Sequence, residues 1–524
     1  MTYNPAVMTR PRILVAALAA LLVPALAASQ ALPNLMLVRV TYNTRKATAK
    51  PQGELKAQID ALDQEIAKAT RAGRTGEMRR LFAKGMALLN GQPWTEAAEF
   101  AASLTLRTDH VVVDSSKPYA VRLEQIFAPS IELPRPLTAV ARIRPRQAPA
   151  GAGAPAAATA VKDLGTFDGV GRDLRESPFL MALDLAGVGL ADGPYALVVE
   201  VLDQTTPLGT ATLNVTLHKG LDAALQRLEA AASAAPPALR DDILFPVDRI
   251  RTVDRGRVAL GAFNVPVEIA AAEAVAAAAK NHTDPYAAKR GDFKRHYLLD
   301  GAGEIMPYRL YVPTTYTPAK PSALVIALHG LGQTEDSFFD GYAKGAPQLA
   351  ESRGYILVAP FGYRVDGFYG CGVGDGATTD PAVRRTQELS ERDVMEVIAH
   401  VRQQYTVDAN RIYLMGHSMG GIGTWCLAAK YPDVWAAIGP MSGFGTPSAI
   451  EKFAKIPEIV VHGDNDATVA VSGSRSMVAK MKELGVEVAY IEIPGGDHIG
   501  VVSPNLPAVF DFFDAHRKAA PGSR

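Results

Sequence analysis

The chain has 524 residues, 48% apolar and 21% charged, which is core-forming material for two or three domains and excludes a disordered protein. Its 54 basic and 54 acidic residues cancel. No bulk charge therefore selects nucleic acid or an anionic membrane as partner.

The N-terminus differs from the rest. Arg10 and Arg12 precede an apolar run over residues 13–22, followed by Pro24 and the small-residue stretch Ala25-Leu26-Ala27-Ala28. Charge, apolar centre and small-residue exit are the order of a secretory signal peptide, with Met8 as a second candidate start. The run is shorter than the ~20 residues a spanning helix needs. The expectation is a signal peptide over residues 1–31, cut between Ala28 and Leu32, and a secreted or periplasmic protein with no membrane span after processing.

Residues 32–103 read as a helical segment. Leu55, Ile59, Leu62 and Ile66 form one stripe of an amphipathic helix, and Met78, Leu81, Phe82 and Leu89 resume it after Gly73–Gly76. Over residues 104–219 the texture changes to short β runs at 110–113, 120–123, 137–143, 181–185, 195–202 and 210–217, each bounded by turn residues. This predicts a β-sandwich-like accessory domain. An Ala/Gly/Pro tract over 145–159 is a loop inside it. No nucleophile, base and acid occur together here, so the expected role is tuning substrate access without taking part in chemistry.

Residues 220–290 are Ala-rich, a helical connector broken at Pro236-Pro237 and by an extended stretch near 250–258. From residue 291 to 524 apolar strands (294–298, 308–312, 323–329, 355–360, 411–415, 435–441, 458–462, 486–493) alternate with helices (386–404, 419–430, 472–484, 505–518). Solid apolar strands separated by helices predict an α/β domain with a mostly parallel sheet covered on both faces.

Gly416-His417-Ser418-Met419-Gly420 lies where strand 411–415 turns into helix 419–430. Such an elbow lifts the serine hydroxyl above the sheet at a helix N-terminus, where free N–H groups favour developing negative charge. A serine nucleophile needs a base and the base an orienting acid, which follow in the chain order Ser, acid, His. His498, in the glycine-bearing loop after strand 486–493, is the expected base. His462 ends a strand and His516 lies in the last helix. For the acid, Asp464 and Asp466 compete after strand 458–462, with Asp497 a third candidate too close to His498. Asp464 beside glycine and asparagine suits a turn cap, which favours Asp466. An oxyanion hole needs two backbone donors, assigned to the N–H groups of Met419 and Leu331. His329 is read as a brace for the loop 329–333.

These motifs resemble the secreted esterase branch of the α/β-hydrolases. His329-Gly330-Leu331-Gly332, Gly416-His417-Ser418-Met419-Gly420-Gly421, His462-Gly463-Asp464-Asn465-Asp466 and Gly496-Asp497-His498 are similar to those of polyhydroxybutyrate depolymerase-like and feruloyl-esterase-like enzymes, and also to prolyl-oligopeptidase-like hydrolases. The resemblance covers about residues 293–518 and implies a serine hydrolase acting on a small-molecule or polymeric carboxylic ester through an acyl-enzyme. The alternatives are a serine peptidase, against which the absence of propeller-blade repeats counts, and a binding protein on a degenerate hydrolase fold. No cofactor or metal is expected, since no H-E-x-x-H or paired-cysteine spacing occurs.

Two further features lie near the expected site. Phe338, Phe339, Phe368 and Tyr369 are read either as walls of an acyl pocket or as ordinary loop packing. Cys371 and Cys426 are the only cysteines. An exported chain could pair them, but the spacing favours two free thiols. Cys426 falls ~12 Å along the helix from Ser418, and Cys371 belongs to a loop at the upper edge.

Overall fold

The computed structural model describes residues 35–131, 136–146, 161–171, 173–258, 260, 263–372 and 380–518. The expected signal peptide, nearly all of the 145–159 tract and part of the loop after Cys371 lie outside the described residues.

Helices α1 (Leu35–Ala49), α2 (Gly53–Arg71) and α3 (Thr75–Leu89) bury a small core of their own. The α2 stripe Ile59, Leu62 and Ile66 faces Leu81 and Phe82 of α3, and Tyr42 of α1 closes the cluster. The Tyr42 hydroxyl donates to Asp63 at 2.8 Å, which satisfies its one polar atom.

Helix α4 (Glu96–Ser103), capped by the Thr95 hydroxyl, leads into eight strands: β1 (Leu104–Arg107), β2 (Val112–Val113), β3 (Pro118–Gln125), β4 (Leu137–Pro145), β5 (Lys162–Val170), β6 (Phe179–Asp184), β7 (Gly193–Asp203) and β8 (Thr206–Leu217). They form two sheets, ordered β1-β3-β6 and β2-β8-β7-β4-β5, which close on one core. Strand β4 alternates buried and half-exposed residues along its length, as a half-buried strand must. Strand β5 was not foreseen. It is an edge strand with mostly exposed residues and two glycines, so no apolar alternation announces it.

Helices α5 (Leu221–Ala234), α6 (Pro237–Asp254) and α7 (Val265–Lys280) follow. The expected extended stretch at 250–258 is corrected: α6 runs through it to Asp254. Ile250, Thr252 and Val253 have strand-favouring side chains, yet burial on the inner face of α6 overrides that local preference. Its two ends grip both neighbours. At the C-terminal end Asp254 accepts from the Val111 N–H at 2.9 Å and contacts the His110 ring at 2.8 Å.

The remaining strands are β9 (Gly291–Leu299), β10 (Glu304–Val312), β11 (Ser322–Leu328), β12 (Ile356–Pro360), β13 (Val407–His417), β14 (Ala437–Met441), β15 (Glu458–Gly463) and β16 (Val488–Ile493). Interspersed are α8 (Ser337–Asp340), α9 (Gly345–Arg353), α10 (Pro381–Gln404), α11 (Met419–Lys430), α12 (Ser472–Glu483) and α13 (Val502–Ala515). The strands make one eight-stranded sheet in the order β9-β10-β12-β11-β13-β14-β15-β16. Strands β12 to β16 run parallel with β11; β10 alone runs against them, antiparallel to both of its neighbours, β12 and β9. One face carries α5–α7, α10, α11 and α12, and the other α8, α9 and α13. All seven residues of β11 are buried, as a central strand covered on both sides requires.

Strand β9 is an edge, and α6 covers it chemically. Asp242 accepts the His296 N–H and Asp241 the Leu298 N–H, both at 2.9 Å, and Asp248 takes the Ile305 N–H of β10 at 2.8 Å. Two carboxylates thereby stand on the outer edge of β9, where another strand would otherwise pair, and the third caps β10 beyond the end of its pairing with β12.

The expectation of free thiols is corrected as well: Cys371 and Cys426 form a disulfide, with Cα atoms 6.0 Å apart. The loop carrying Cys371 does not stay at the upper edge but runs down the flank of α11. Tyr369 packs where any side chain at Gly423 would stand, and the Lys430 ammonium at the far end of α11 donates to the Gly370 carbonyl at 2.8 Å.

Two predictions follow from this architecture. The disulfide closes 55 residues of sequence, for which loop entropy gives about 4 kcal/mol of stabilisation. Reduction under non-denaturing conditions should therefore lower Tm by several degrees, and an unchanged Tm on complete reduction would refute the estimate. The second concerns Glu458, at the start of β15. Its carboxyl is sealed from solvent and accepts one bond, from the Trp425 indole at 2.8 Å, and burial raises its pKa to about 8 from an ordinary 4.5. The folded state keeps a proton that the unfolded chain releases above 4.5. Stability contributed by this group should fall as pH rises from about 4.5 to about 8 and flatten beyond. In urea titrations at pH 5, 7 and 9, Glu458→Gln should show a shallower decline than the native chain. An identical decline in both would remove Glu458 as its source.

Candidate active site

Ser418 sits between β13 and α11 with φ 57° and ψ −116°, outside the regions open to ordinary residues. Two close approaches make the turn possible. A Cβ on Gly416 would stand 2.3 Å from the Gly420 carbonyl oxygen, and one on Gly420 would meet the Leu328 carbonyl oxygen of β11 at 2.0 Å. Only glycine fits either position. The helix thus begins hard against the end of the central strand, with Ser418 at its tip.

The structure brings Ser418, His498 and Asp466 into one hydrogen-bonded line. His498 Nε2 lies 2.9 Å from Ser418 Oγ, and His498 Nδ1 lies 2.6 Å from Asp466 Oδ2. The Asp466 side chain is out of contact with solvent. Burial pushes its pKa up, but the bonds from His462, His498 and the Val469 N–H outweigh it and hold the carboxyl well below the usual range. Its Oδ1 accepts the N–H groups of Thr468 and Val469, both at 2.8 Å. The charge is fixed in place by four donors. Asp464 instead accepts the Gly495 N–H at 2.6 Å and holds the turn of the His498 loop. Asp497 caps its own turn through the N–H groups of Ile499 and Gly500.

Leu331 and Met419 line the same cavity as Ser418, and among the described residues neither N–H enters a hydrogen bond. The first N–H groups of a helix have no partner within it, which leaves Met419 free to donate. The loop carrying Leu331 is clamped by its neighbours. The Gln333 side chain accepts the Gly330 N–H at 3.0 Å, and the buried His329 ring lies between the carbonyls of Gly330 (2.8 Å) and Phe361 (2.7 Å). The bracing position read for His329 agrees with these contacts.

Sequence reasoning missed several supports. His417, inside the serine motif, puts Nε2 2.8 Å from the His498 carbonyl oxygen and Nδ1 2.8 Å from the Tyr342 hydroxyl. Burial, with the neighbouring His498 ring adding to it, pushes its pKa down to about 4. The ring is therefore neutral: Nε2–H donates to the His498 backbone, and Nδ1 accepts from Tyr342. His462 grips the other end of the line, with Nε2 3.2 Å from Asp466 and Nδ1 2.7 Å from Ser474 Oγ. Nothing in local sequence separates a bracing histidine from an idle one.

A cavity of about 750 Å³ opens over Ser418 and His498. Of the aromatic residues singled out, Phe368 lines it, while Phe338 and Phe339 are core residues and Tyr369 is buried with its hydroxyl on the His329 carbonyl. The outer wall is a correction to the expected division of labour. No described residue of 104–217 lines the cavity; the N-terminal half contributes through α1 and Met86 of α3 instead. Helix α1 touches the acid loop directly, with the hydroxyls of Thr44 and Thr468 at 3.4 Å.

Comparison with known proteins agrees with this geometry. A family model described as a putative esterase matches residues 301–487. The chain is 30% identical over 175 residues to a bifunctional acetylxylan esterase/xylanase of Neocallimastix patriciarum, covering 33% of this chain and 23% of that protein. It is 32% identical over 133 residues to feruloyl esterase B of Neurospora crassa, covering 25% and 42%. Against cutinase 2 of Thermobifida cellulosilytica it is 30% identical over 169 residues, covering 30% and 62%. The chain thus spans less than two thirds of each of these relatives. The C-terminal part of this chain has the α/β-hydrolase fold, with a mostly parallel central sheet and a serine elbow, and over residues 301–487 it is similar to a family of putative esterases.

Proposed function

We propose that the protein is an exported serine esterase that cleaves carboxylic esters through an acyl-enzyme, with Ser418 as nucleophile, His498 as base and Asp466 as its orienting acid. The observation that carries this reading is the unbroken line from Ser418 Oγ to His498 (2.9 Å) to Asp466 (2.6 Å) at the floor of an open cavity. Export rests on the N-terminal sequence pattern. Among the described residues no helix is long and apolar enough to cross a membrane.

The chemistry follows from the geometry. Ser418 Oγ attacks the ester carbonyl carbon while its proton passes to His498 Nε2. The carbonyl oxygen, now carrying the negative charge, takes the N–H groups of Leu331 and Met419. Asp466 stabilises the imidazolium and keeps the ring in the tautomer that presents Nε2 to the serine. The C–O bond to the alcohol breaks, and the alcohol leaves with the proton from Nε2. Water then attacks the acyl-serine, giving one proton to His498. Collapse returns that proton to Ser418 and releases the carboxylic acid. His417, by holding the His498 carbonyl, fixes where the ring stands throughout.

Hydrolysis of a short-chain 4-nitrophenyl ester, with and without a serine-directed phosphonate, tests the reading. The native chain should turn over the ester and be silenced by stoichiometric labelling. Ser418→Ala should lose about 10³-fold or more in kcat with an unchanged melting curve; a variant retaining more than a few per cent would dismiss Ser418. The two acids should separate sharply. Asp466→Asn should cost on the order of 10⁴-fold in kcat, and Asp464→Asn, which touches only a turn, about tenfold at most. The opposite ranking would move the acid to Asp464.

A further inference from the structure

We infer, resting on the esterase reading above, that the natural substrate is an anionic ester, with a carboxylate at the end remote from the scissile bond that is received by Arg39 and Arg45 of α1. Among the described residues these are the only Asp, Glu, Lys or Arg side chains lining the cavity over Ser418. Asp466, which holds His498, is out of contact with solvent and engaged by His498 and His462. Helix α1 contains no acidic residue in its 15 positions.

Neither guanidinium is neutralised by a described residue. Arg39 Nη2 donates to the Thr70 hydroxyl at 3.0 Å, while Arg45 donates from Nε to the Asn90 side-chain oxygen at 2.8 Å and from Nη2 to the Leu89 carbonyl at 3.0 Å. All of these acceptors are uncharged, and among the described residues no carboxylate forms an ion pair with either arginine. The adjacent Lys46, by contrast, pairs with Asp63 at 2.7 Å. A guanidinium has five donor hydrogens, so each arginine keeps most of its capacity. The existing bonds tether both groups to the ends of α2 and α3, which lowers the ordering cost of receiving a ligand.

The rest of the cavity defines the substrate's body. Met36, Val40, Leu331, Phe368, Ile422 and Phe444 give it apolar walls between the arginines and the serine. A molecule that fits has a hydrocarbon or aromatic middle, an ester at Ser418 and a negative charge under α1. The half-ester of a dicarboxylic acid has that form, and its hydrolysis releases the diacid and an alcohol.

The test uses the full chain and a matched pair of probes, 4-nitrophenyl hydrogen adipate and methyl 4-nitrophenyl adipate, which differ in the remote carboxylate. The native chain should prefer the anionic probe in kcat/KM by about tenfold at low ionic strength, and the preference should shrink several-fold in about 0.5 M salt. Arg39→Gln and Arg45→Gln should each reduce the ratio of the two kcat/KM values by roughly threefold or more, and Arg→Lys at either position should restore part of it. Arg39→Gln has a single hydrogen bond to lose and remains informative if Arg45→Gln fails to fold. A native ratio near one overturns the inference. So does an unchanged ratio in both variants with a lowered Tm, which would make the arginines helix caps only. If neither probe is cleaved and the phosphonate does not label Ser418, the esterase reading itself fails and this inference with it.

Discussion

The approach of α11 to the end of β11 governs the whole site. With Gly420 pressed on the Leu328 carbonyl, the nucleophile helix starts at the one point where the central strand ends. That contact sets Ser418 in its strained turn, brings the free N–H of Met419 alongside it and stands the loop carrying Leu331 next to both. A methyl group at Gly416 would stand 2.3 Å from the Gly420 carbonyl oxygen and one at Gly420 2.0 Å from that of Leu328, so neither fits unless the helix moves. Ser418, the Met419 N–H and His417 would then shift together. Strain at a single residue persists because the packing around it leaves no alternative.

Around that fixed point the site is assembled from distant parts of the chain. Asp466 and His498 come from loops after β15 and β16, and the outer wall comes from α1, more than 280 residues before the nearest hydrolase loop in the cavity. Helices α5–α7 share one hydrophobic cluster with the sheet, and α6 also holds the β-sandwich through Asp254. Helix α5 adds to that link, with Asp222 paired to Lys117 of the sandwich, so the segments are coupled through the connector helices.

Much of this was legible in the sequence, for reasons of local physics. Solid apolar runs such as 323–328 leave little choice but a buried parallel strand, and the serine elbow needs its glycines at fixed offsets. The contacts among Ser418, His498 and Asp466 follow the chain-order logic that singled those residues out. What escaped was non-local. Ile250 and Val253 carry strand-forming side chains but lie in a helix because their burial decides. The Cys371–Cys426 pairing depends on a loop folding down the flank of α11, which no spacing encodes. The role of α1 as a cavity wall is a docking event between elements hundreds of residues apart, and a helical stripe cannot name its partner.

The carboxylates of α6 on the sheet edge carry a consequence for how this molecule fails. Asp241 and Asp242 occupy the outward N–H groups of β9, and while α6 stays docked the sheet ends there. When α6 detaches, an exposed row of donors and acceptors is left on a strand whose partners are already aligned. The edge of a second molecule in the same condition offers the complementary row. Two such edges can pair antiparallel and close into a dimer, so detachment of α6 opens a route to edge-to-edge association. Helix α6, which helps join the two halves of the chain, is also what keeps the sheet of one molecule from continuing into the next.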